Sequence, residues 1–366
     1  MSAAARETIS PTRSTRQVLR LVPVIAAALT LLSACGASGG TKAQPTVTVT
    51  ESAGAGGGGG GLGSASPTSS ASGSPGIVAV TTAGALVVLD PSTGSSTQTL
   101  VSGGVLGDEI SVGPDGSTVY FAMGGGCHPT IESVGLGGGS PVPLAKGELP
   151  AISPDGTKLA FTREPSLTNG CIPSASNLTS SYKLVIRTLR TGAEQVFPMP
   201  PQLRRSGLPA PIGHLSWASD STRLAVSTSA VQDNEGWGLN IVDTSTAQYY
   251  VVPGSGVSFV PVTGPQAERS YIREGIFLPD GDLFISRACC GGVPVHNTSR
   301  LMWEVSASGA LVHQVAIGFP SLEHTSLAAN STGQWLLYLA GTDLYVSENG
   351  ARPSKVASGL IAATWQ

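Results

Sequence analysis

The stretch SVGPDGSTVYFA (Ser111–Ala122) is the clearest copy of a repeat that runs through most of this sequence. It joins an apolar strand, a Pro-Asp-Gly turn and a second strand of alternating residues. Further copies are AISPDGTKLAFT (Ala151–Thr162), LSWASDSTRLAVS (Leu215–Ser227), GIFLPDGDLFIS (Gly275–Ser286) and a degenerate LAANSTGQWLLYL (Leu327–Leu339). Asp can hydrogen-bond its own backbone and Gly tolerates positive φ, so each copy predicts a β-hairpin.

The spacing of these turns predicts the architecture. The Asp-equivalent positions are 115, 155, 220, 280 and 332, so successive repeats begin 40 to 65 residues apart. Each hairpin is followed by a third strand, such as Leu184–Arg187, and by a fourth short strand. Four antiparallel strands at this period are typical of a β-propeller blade. The residues assigned a structural role in the turns are Asp115, Gly116, Asp155, Gly156, Asp220, Asp280 and Gly281.

The two ends of the repeat region predict how the ring closes. Gly359–Gln366 looks like a first strand that stops where its turn should follow, and Gly76–Gly94 looks like a second and a third strand without a first. Joining them completes a sixth blade and removes the exposed edges of an open array. The sequence therefore predicts an all-β, six-bladed propeller of four-stranded antiparallel blades over residues 76–366.

These Ser-Pro-Asp-Gly repeats resemble the TolB-like propeller family, with its WD-type repeats. The resemblance covers Gly76–Gln366 and implies the fold much more specifically than the function. The family includes proteins that bind other envelope proteins, as well as the propeller halves of peptidases. TolB itself carries an N-terminal α/β domain that we do not expect here, so its partnerships are not transferred.

The first 75 residues read as a targeting segment and a tether. Four arginines precede the apolar run Leu21–Ala34, which is short for a bilayer span. The run ends in Leu32-Ser33-Ala34-Cys35, which resembles the bacterial lipobox. We therefore expect a signal peptide over 1–34, lipidation of Cys35, and a location at the outer face of the cell membrane. Residues 35–75 are rich in Gly, Ser, Ala, Thr and Pro, and such a composition predicts a disordered tether.

The charge of the chain argues against a nucleic-acid partner. The sequence has 20 Lys and Arg against 23 Asp and Glu, and only 12% of its residues are charged. Removal of residues 1–34 leaves 16 basic and 22 acidic residues. No basic patch of nucleic-acid size remains in that part of the sequence.

Loop lengths predict a binding face. Connections between first and second strands, and between third and fourth strands, lie at one end of a propeller, and all are short here. The other end, called the long-loop face below, receives Arg163–Ser181, Pro198–Gly213, Pro253–Arg273 and Arg287–Arg300. Insertions that gather on one face usually mark the binding face, although drift in loop length is an alternative.

Four further cysteines also belong to loops of the long-loop face: Cys127, Cys171, Cys289 and Cys290. In an oxidising compartment an even number indicates disulfides. Cys127 and Cys171 lie in equivalent loops of neighbouring blades and form the natural pair, which leaves Cys289 with Cys290. A metal site is the alternative, since His128 and His296 lie nearby, but the spacing of a zinc knuckle is missing.

Polar residues stand near the start of five first strands: Glu109, Glu148, His214, Glu274 and His324. These starts should ring the mouth of the central channel on the long-loop face. One interpretation is a cation held by Glu109, Glu148 and Glu274, as in a metal-dependent lactonase- or lyase-like propeller enzyme. The other is the ordinary polarity of a solvated channel mouth.

No catalytic motif stands out in the sequence. We therefore expect a binding or scaffolding module for a protein or envelope component rather than an enzyme. We expect no cofactor, a membrane attachment through the N-terminal lipid, and a monomer.

Overall fold

A computed structural model describes residues 76–124, 129–163, 183–198, 212–228, 238–252, 270–289, 302–306, 311–315 and 324–366. All of them belong to one compact unit, Ser69–Gln366. Their strands form six four-stranded antiparallel sheets, so the predicted six-bladed propeller is confirmed. None of the described residues forms a helix with the length and apolar character that a membrane crossing requires. The proposed signal peptide and tether lie outside the described residues.

We number the blades along the chain and give their strands from the channel outward. Blade one comprises β24 (Leu360–Trp365), β1 (Ile77–Thr81), β2 (Leu86–Leu89) and β3 (Ser96–Val101). Blade two comprises β4 (Val105–Val112), β5 (Thr118–Met123), β6 (Thr130–Gly135) and β7 (Val142–Lys146). Blade three comprises β8 (Glu148–Ile152), β9 (Lys158–Arg163), β10 (Lys183–Thr188) and β11 (Glu194–Pro198).

Blades four to six complete the ring. Blade four comprises β12 (Ile212–Trp217), β13 (Arg223–Thr228), β14 (Gly238–Asp243) and β15 (Gln248–Val251). Blade five comprises β16 (Ser270–Phe277), β17 (Leu283–Cys289), β18 (Met302–Val305) and β19 (Leu311–Val315). Blade six comprises β20 (His324–Ala329), β21 (Trp335–Ala340), β22 (Asp343–Glu348) and β23 (Ser354–Ser358).

Ring closure follows the predicted route. The last strand, β24, pairs with β1 from Ile77↔Trp365 to Thr81↔Leu360. The Gln366 amide donates to the Gly76 carbonyl at 2.7 Å. In blade two the equivalent bond, from the Gly113 amide to the Thr118 carbonyl, closes the hairpin at its Pro-Asp-Gly turn. Gly76 therefore occupies the end of the domain where the Pro-Asp-Gly turns lie, which we call the turn face. The chain enters the propeller on that face.

The turns of the repeat have nearly the same geometry in successive blades. The side chains of Asp115, Asp155, Asp220 and Asp280 each accept the backbone amide two residues on, at 2.8 to 3.1 Å. Gly116, Gly156 and Gly281 follow with φ of 63°, 69° and 94°. In blade four Ser221 takes this place with φ of 55°, although it has a Cβ.

The core is distributed between the blades. Six clusters of buried apolar residues each join neighbouring sheets, such as Leu224 and Val226 of blade four with Leu184 and Phe197 of blade three. Burying a large apolar side chain contributes about 1.5–3 kcal/mol. Stability therefore comes from blade-to-blade packing around the whole ring.

Blade five departs from the loop boundaries expected from sequence. Residues 270–273 and 287–289 were expected in loops, but β16 and β17 pair from Ser270↔Cys289 inward. The hairpin is therefore extended on the long-loop face.

Candidate functional site

The innermost strands carry an irregularity at the same level of the channel. In blades two to six, the pairing between the first and second strands shifts register about six residues before the turn. Irregularities of this kind change the direction in which a side chain points. The residues at this position in blades two to six are Glu109, Leu149, His214, Glu274 and Ser326. We call them the channel ring.

Three members of the channel ring meet. The His214 Nδ1 atom lies 3.4 Å from Glu109 Oε1 and 3.3 Å from Glu274 Oε1. The exposed fractions of Glu109, His214 and Glu274 are only 8%, 8% and 6%. The solvated channel mouth that we expected is thus a buried polar cluster, because the narrow ring draws side chains from blades two, four and five together.

The two carboxylates also hold backbone amides of other blades. Glu109 Oε2 accepts the amide of Leu215 at 3.2 Å, so a blade-two side chain reaches blade four past blade three. Glu274 Oε1 accepts the amide of Leu327 at 2.7 Å and joins blade five to blade six. Innermost strands are edge strands whose amides lack a strand partner. These carboxylates satisfy two such amides and obstruct the channel near the long-loop face.

Burial controls the protonation of the histidine. It lowers the pKa of His214 to about 4, because the charged imidazolium loses its hydration. The carboxylates at 3.3 and 3.4 Å act in the opposite direction, since negative charge favours protonation. With a pKa in that range the imidazole is neutral at pH 7, and its Nδ1–H can be donated to a carboxylate.

The other two polar candidates are placed differently. Glu148 precedes the channel ring by one residue, and Leu149 takes its place with φ of 54°. The Glu148 carbonyl accepts the Thr162 hydroxyl at 3.3 Å. His324 begins β20, two residues before Ser326, and only its backbone is described. Counting back six residues from every turn would have selected Leu149 and Ser326 from the sequence.

The expected cation site formed by Glu109, Glu148 and Glu274 is not assembled as such. Glu109 and Glu274 both approach the His214 imidazole, and Glu148 is not part of the channel ring. Within the described part of the chain, the only three acidic, His or Cys groups whose ligand atoms all lie within 4.8 Å of one another are Asp280, Asp282 and Glu304. They belong to blade five, outside the channel ring.

The disulfide candidates cannot be placed. Cys127, Cys171 and Cys290 lie outside the described residues. Cys289 is the last residue of β17, and only its backbone is described.

On the turn-face side of the channel ring the channel widens into two adjoining cavities. The inner one, of about 190 Å³, has Glu109 and His214 among its lining residues. The outer one, of about 540 Å³, is lined by turn residues such as Pro114, Pro154 and Pro279. Trp217 and Thr364 line both. We call the two cavities together the turn-face well. No local sequence pattern predicts it, because it arises from the spacing of the six blades.

No protein-family model matches the sequence, and no curated protein sequence matches it. Solved structures do match its fold. TolB from Acinetobacter baumannii superimposes with a TM-score of 0.55 at 14% identity, over 80% of this chain and 66% of that chain. The fold is that of a TolB-like propeller.

The fold also resembles that of a chain of the nidogen–laminin complex, with a TM-score of 0.53 at 10% identity. That match covers 79% of this chain and 97% of the other. The chain spans about two thirds of the matched TolB. At these identities the comparisons establish the propeller fold alone.

Proposed function

We propose that this chain is a lipid-anchored, extracytoplasmic binding module whose long-loop face holds a protein or envelope component. The observation that carries the proposal is the one-sided distribution of long connections. The long connections run from Arg163 to Lys183, Pro198 to Ile212, Val251 to Ser270 and Cys289 to Met302, all at the same end of the strands.

The turn face contrasts with this arrangement. Its hairpins close with single-turn backbone bonds, such as Gly116 to Gly113 at 2.8 Å and Gly281 to Leu278 at 3.0 Å. Only the long-loop face has been elaborated, and loops placed on a rigid scaffold are where binding residues concentrate.

Two features of the described residues favour a partner on the long-loop face. The bonds from Glu109 to Leu215 and from Glu274 to Leu327 fix the innermost strands beneath it. The chain enters the propeller at Gly76 on the turn face, so its attachment lies at the opposite end from the long loops.

The face assignment is tested by capture from envelope extracts. The full chain should be cross-linked and purified alongside variants that lack residues 168–180 or 290–299, which leave the described strands intact. Recovery of a specific component should fall at least tenfold in one of the trimmed variants. The matched control removes one glycine from 137–139 in a turn-face loop and should leave recovery unchanged. Equal recovery from all variants contradicts the face assignment.

The anchoring is tested separately. Cells that express the full chain should incorporate labelled palmitate into it and retain it in the membrane fraction. Cys35→Ser should abolish the label and release the protein. Label that survives Cys35→Ser contradicts lipidation at this residue.

A further inference from the structure

The rim of the propeller presents six sheet edges, one for each blade. Every blade ends at the rim in its fourth strand, and no other strand of the described residues pairs with the outer side of these strands. Such an edge offers a row of peptide groups that can pair with another chain. Natural edges are usually protected from this by a register irregularity, a proline or a charged side chain.

Five of the six outer strands have such a protection. Register shifts interrupt the pairing of β3, β7, β19 and β23 with their neighbours. The fifth strand, β11, pairs regularly, but it contains a charged residue, Glu194, and ends at Pro198. Glu194 also forms ion pairs with Arg163 and Arg187, which adds charge to this edge.

The exception is β15 (Gln248–Val251), the outer strand of blade four. It contains no charged residue and no proline, and it pairs with β14 without a register shift. The Tyr250 side chain is 52% exposed, so a large aromatic surface stands at this edge. A regular, uncharged edge with an exposed aromatic residue favours association with another strand.

The register of β15 determines which of its peptide groups point outward. The Val252 amide donates to the Leu239 carbonyl at 3.1 Å, so these two residues form a hydrogen-bonded pair. Such pairs alternate along an antiparallel ladder, so the peptide groups of Tyr250 also point inward, to β14. The peptide groups of Tyr249 and Val251 therefore point away from the blade. Each offers one N–H and one C=O to a further strand.

These outward groups are complementary to those of a second copy of the same strand. When two copies of β15 run antiparallel with Tyr250 opposite Tyr250, Tyr249 of each copy lies opposite Val251 of the other. Each of these two pairs can exchange two N–H···O bonds, which gives four bonds about a twofold axis. The two tyrosines then form a cross-strand aromatic pair at a non-hydrogen-bonded position, where side chains are close and such pairs are favourable.

We propose that the outer edge of blade four is a self-association surface, on which β15 pairs with β15 of a second copy about a twofold axis at Tyr250. Because the strand is uncharged, this pairing brings no like charges together. A monomer was expected from the sequence, in which the regularity of this edge is not visible. An extended segment of a different protein is the competing occupant. The proposal does not depend on the function assigned to the long-loop face.

The proposed contact is small, which determines how it should be measured. One strand pair and two tyrosines bury less surface than the roughly 1,200–2,000 Å² of a standard stable interface. The dimer should therefore be weak, with a Kd on the order of 100 µM. Self-association should accordingly depend on protein concentration.

Sedimentation equilibrium of the full chain in density-matched detergent tests the proposal. Between roughly 5 and 500 µM, on either side of that Kd, the native chain should pass from monomer towards dimer. Tyr250→Lys should weaken dimerisation at least tenfold, because it places two like charges opposite each other on the axis. Tyr250→Asp alone should do the same. An equimolar mixture of the two variants should associate at least tenfold more tightly than either alone, since lysine then faces aspartate.

Val142→Lys is the matched control, because Val142 is 55% exposed on β7, the outer strand of another blade. It should leave self-association unchanged. A native chain that stays monomeric at every concentration leaves the edge to a segment of another protein and overturns the proposal. Equal behaviour of Tyr250→Lys and Val142→Lys, or a mixture that associates no better than its components, also overturns it. None of these results bears on capture by the long-loop face.

Discussion

The two ends of the central channel solve the same structural problem in different ways. Both are formed by innermost strands, whose channel-facing peptide groups have no neighbouring strand. Near the long-loop face, Glu109 and Glu274 accept the amides of Leu215 and Leu327 and flank His214. Near the turn face the channel widens into a cavity of about 540 Å³ with aromatic and neutral polar walls.

The difference separates a closed end of the channel from an open one. The buried cluster joins blades two, four, five and six, and removing one member leaves uncompensated polar groups in a buried site. The open end has solvent as an alternative partner, so single changes there should cost less stability. The predictions below test this contrast, beginning with the largest expected effect.

Glu109→Ala should destabilise the propeller most. It removes the acceptor of the Leu215 amide and one carboxylate beside His214. A buried donor left without its acceptor costs about 1–3 kcal/mol, and truncation of a buried side chain adds to this, so the loss should be about 3 kcal/mol or more. Urea denaturation followed by circular dichroism measures the change. Ser331→Ala at the open end is the control and should cost less than about 0.5 kcal/mol. Similar losses for both variants would refute the contrast between the two ends.

Acid should weaken the closed end through His214. Its pKa is lowered to about 4 in the fold, against an ordinary value of 6.5. The unfolded chain therefore binds a proton first, and stability falls as pH drops from about 6.5 to about 4. At about 1.4 kcal/mol per pKa unit, this lowering of the His214 pKa alone corresponds to a loss of about 3 kcal/mol. The nearby carboxylates favour protonation of His214, so the loss should be smaller, on the order of 2 kcal/mol.

His214→Gln isolates this contribution, because glutamine does not titrate. Urea unfolding between pH 7 and pH 4 should show a smaller loss for the variant than for the native chain. Parallel pH profiles would mean that His214 titrates alike in the folded and unfolded states.

The two equivalent tryptophans give a smaller, paired effect. Trp217→Phe removes the bond to the Ala151 carbonyl and should cost about 1 kcal/mol more than Trp365→Phe, whose indole N–H has no acceptor to lose. Both variants lose similar volume, so the difference in unfolding free energy reports the hydrogen bond. Equal costs would show that the Trp365 donor is satisfied in solution.

The smallest effect is expected at a turn. Burial opposes ionisation of Asp220, but bonds from Thr222 and Arg223 outweigh it and lower its pKa to about 2. This contribution is present above the ordinary pKa of 3.8 and is lost as pH falls through about 2. Because the site is largely exposed, Asp220→Asn should cost less than about 1 kcal/mol at pH 6. The gap from the native chain should close towards pH 2, and a gap that persists there would contradict the lowered pKa.

Much of the fold could be predicted from the sequence because a Pro-Asp-Gly turn or a variant of it marks the first hairpin of five blades. The repeat also gave the blade number and the pairing of β24 with β1. The site was predicted only in part. Glu109, His214 and Glu274 were candidates on sequence grounds, but their burial and mutual contact depend on ring diameter, which no local pattern encodes.

Two details depend on geometry that no local pattern encodes. Glu148 begins β8, as expected, but the bulge with φ of 54° at Leu149 gives the channel-ring position of blade three to an apolar residue. Trp365 was overlooked because its unpaired N–H appears only when the neighbouring strand is in place. Long-range geometry decides both cases.

Amide hydrogen exchange at Leu215 and Leu327 tests the closed end of the channel most directly. Neither amide faces a partner strand, so its protection depends on the carboxylate that accepts it. In the native chain both should exchange at the slow rate of global unfolding. In Glu109→Ala the Leu215 amide should exchange at least a hundredfold faster, while Leu327 keeps most of its protection. Fast exchange of Leu215 in the native chain, or no change in Glu109→Ala, would contradict the cross-channel bond on which the two-ended channel rests.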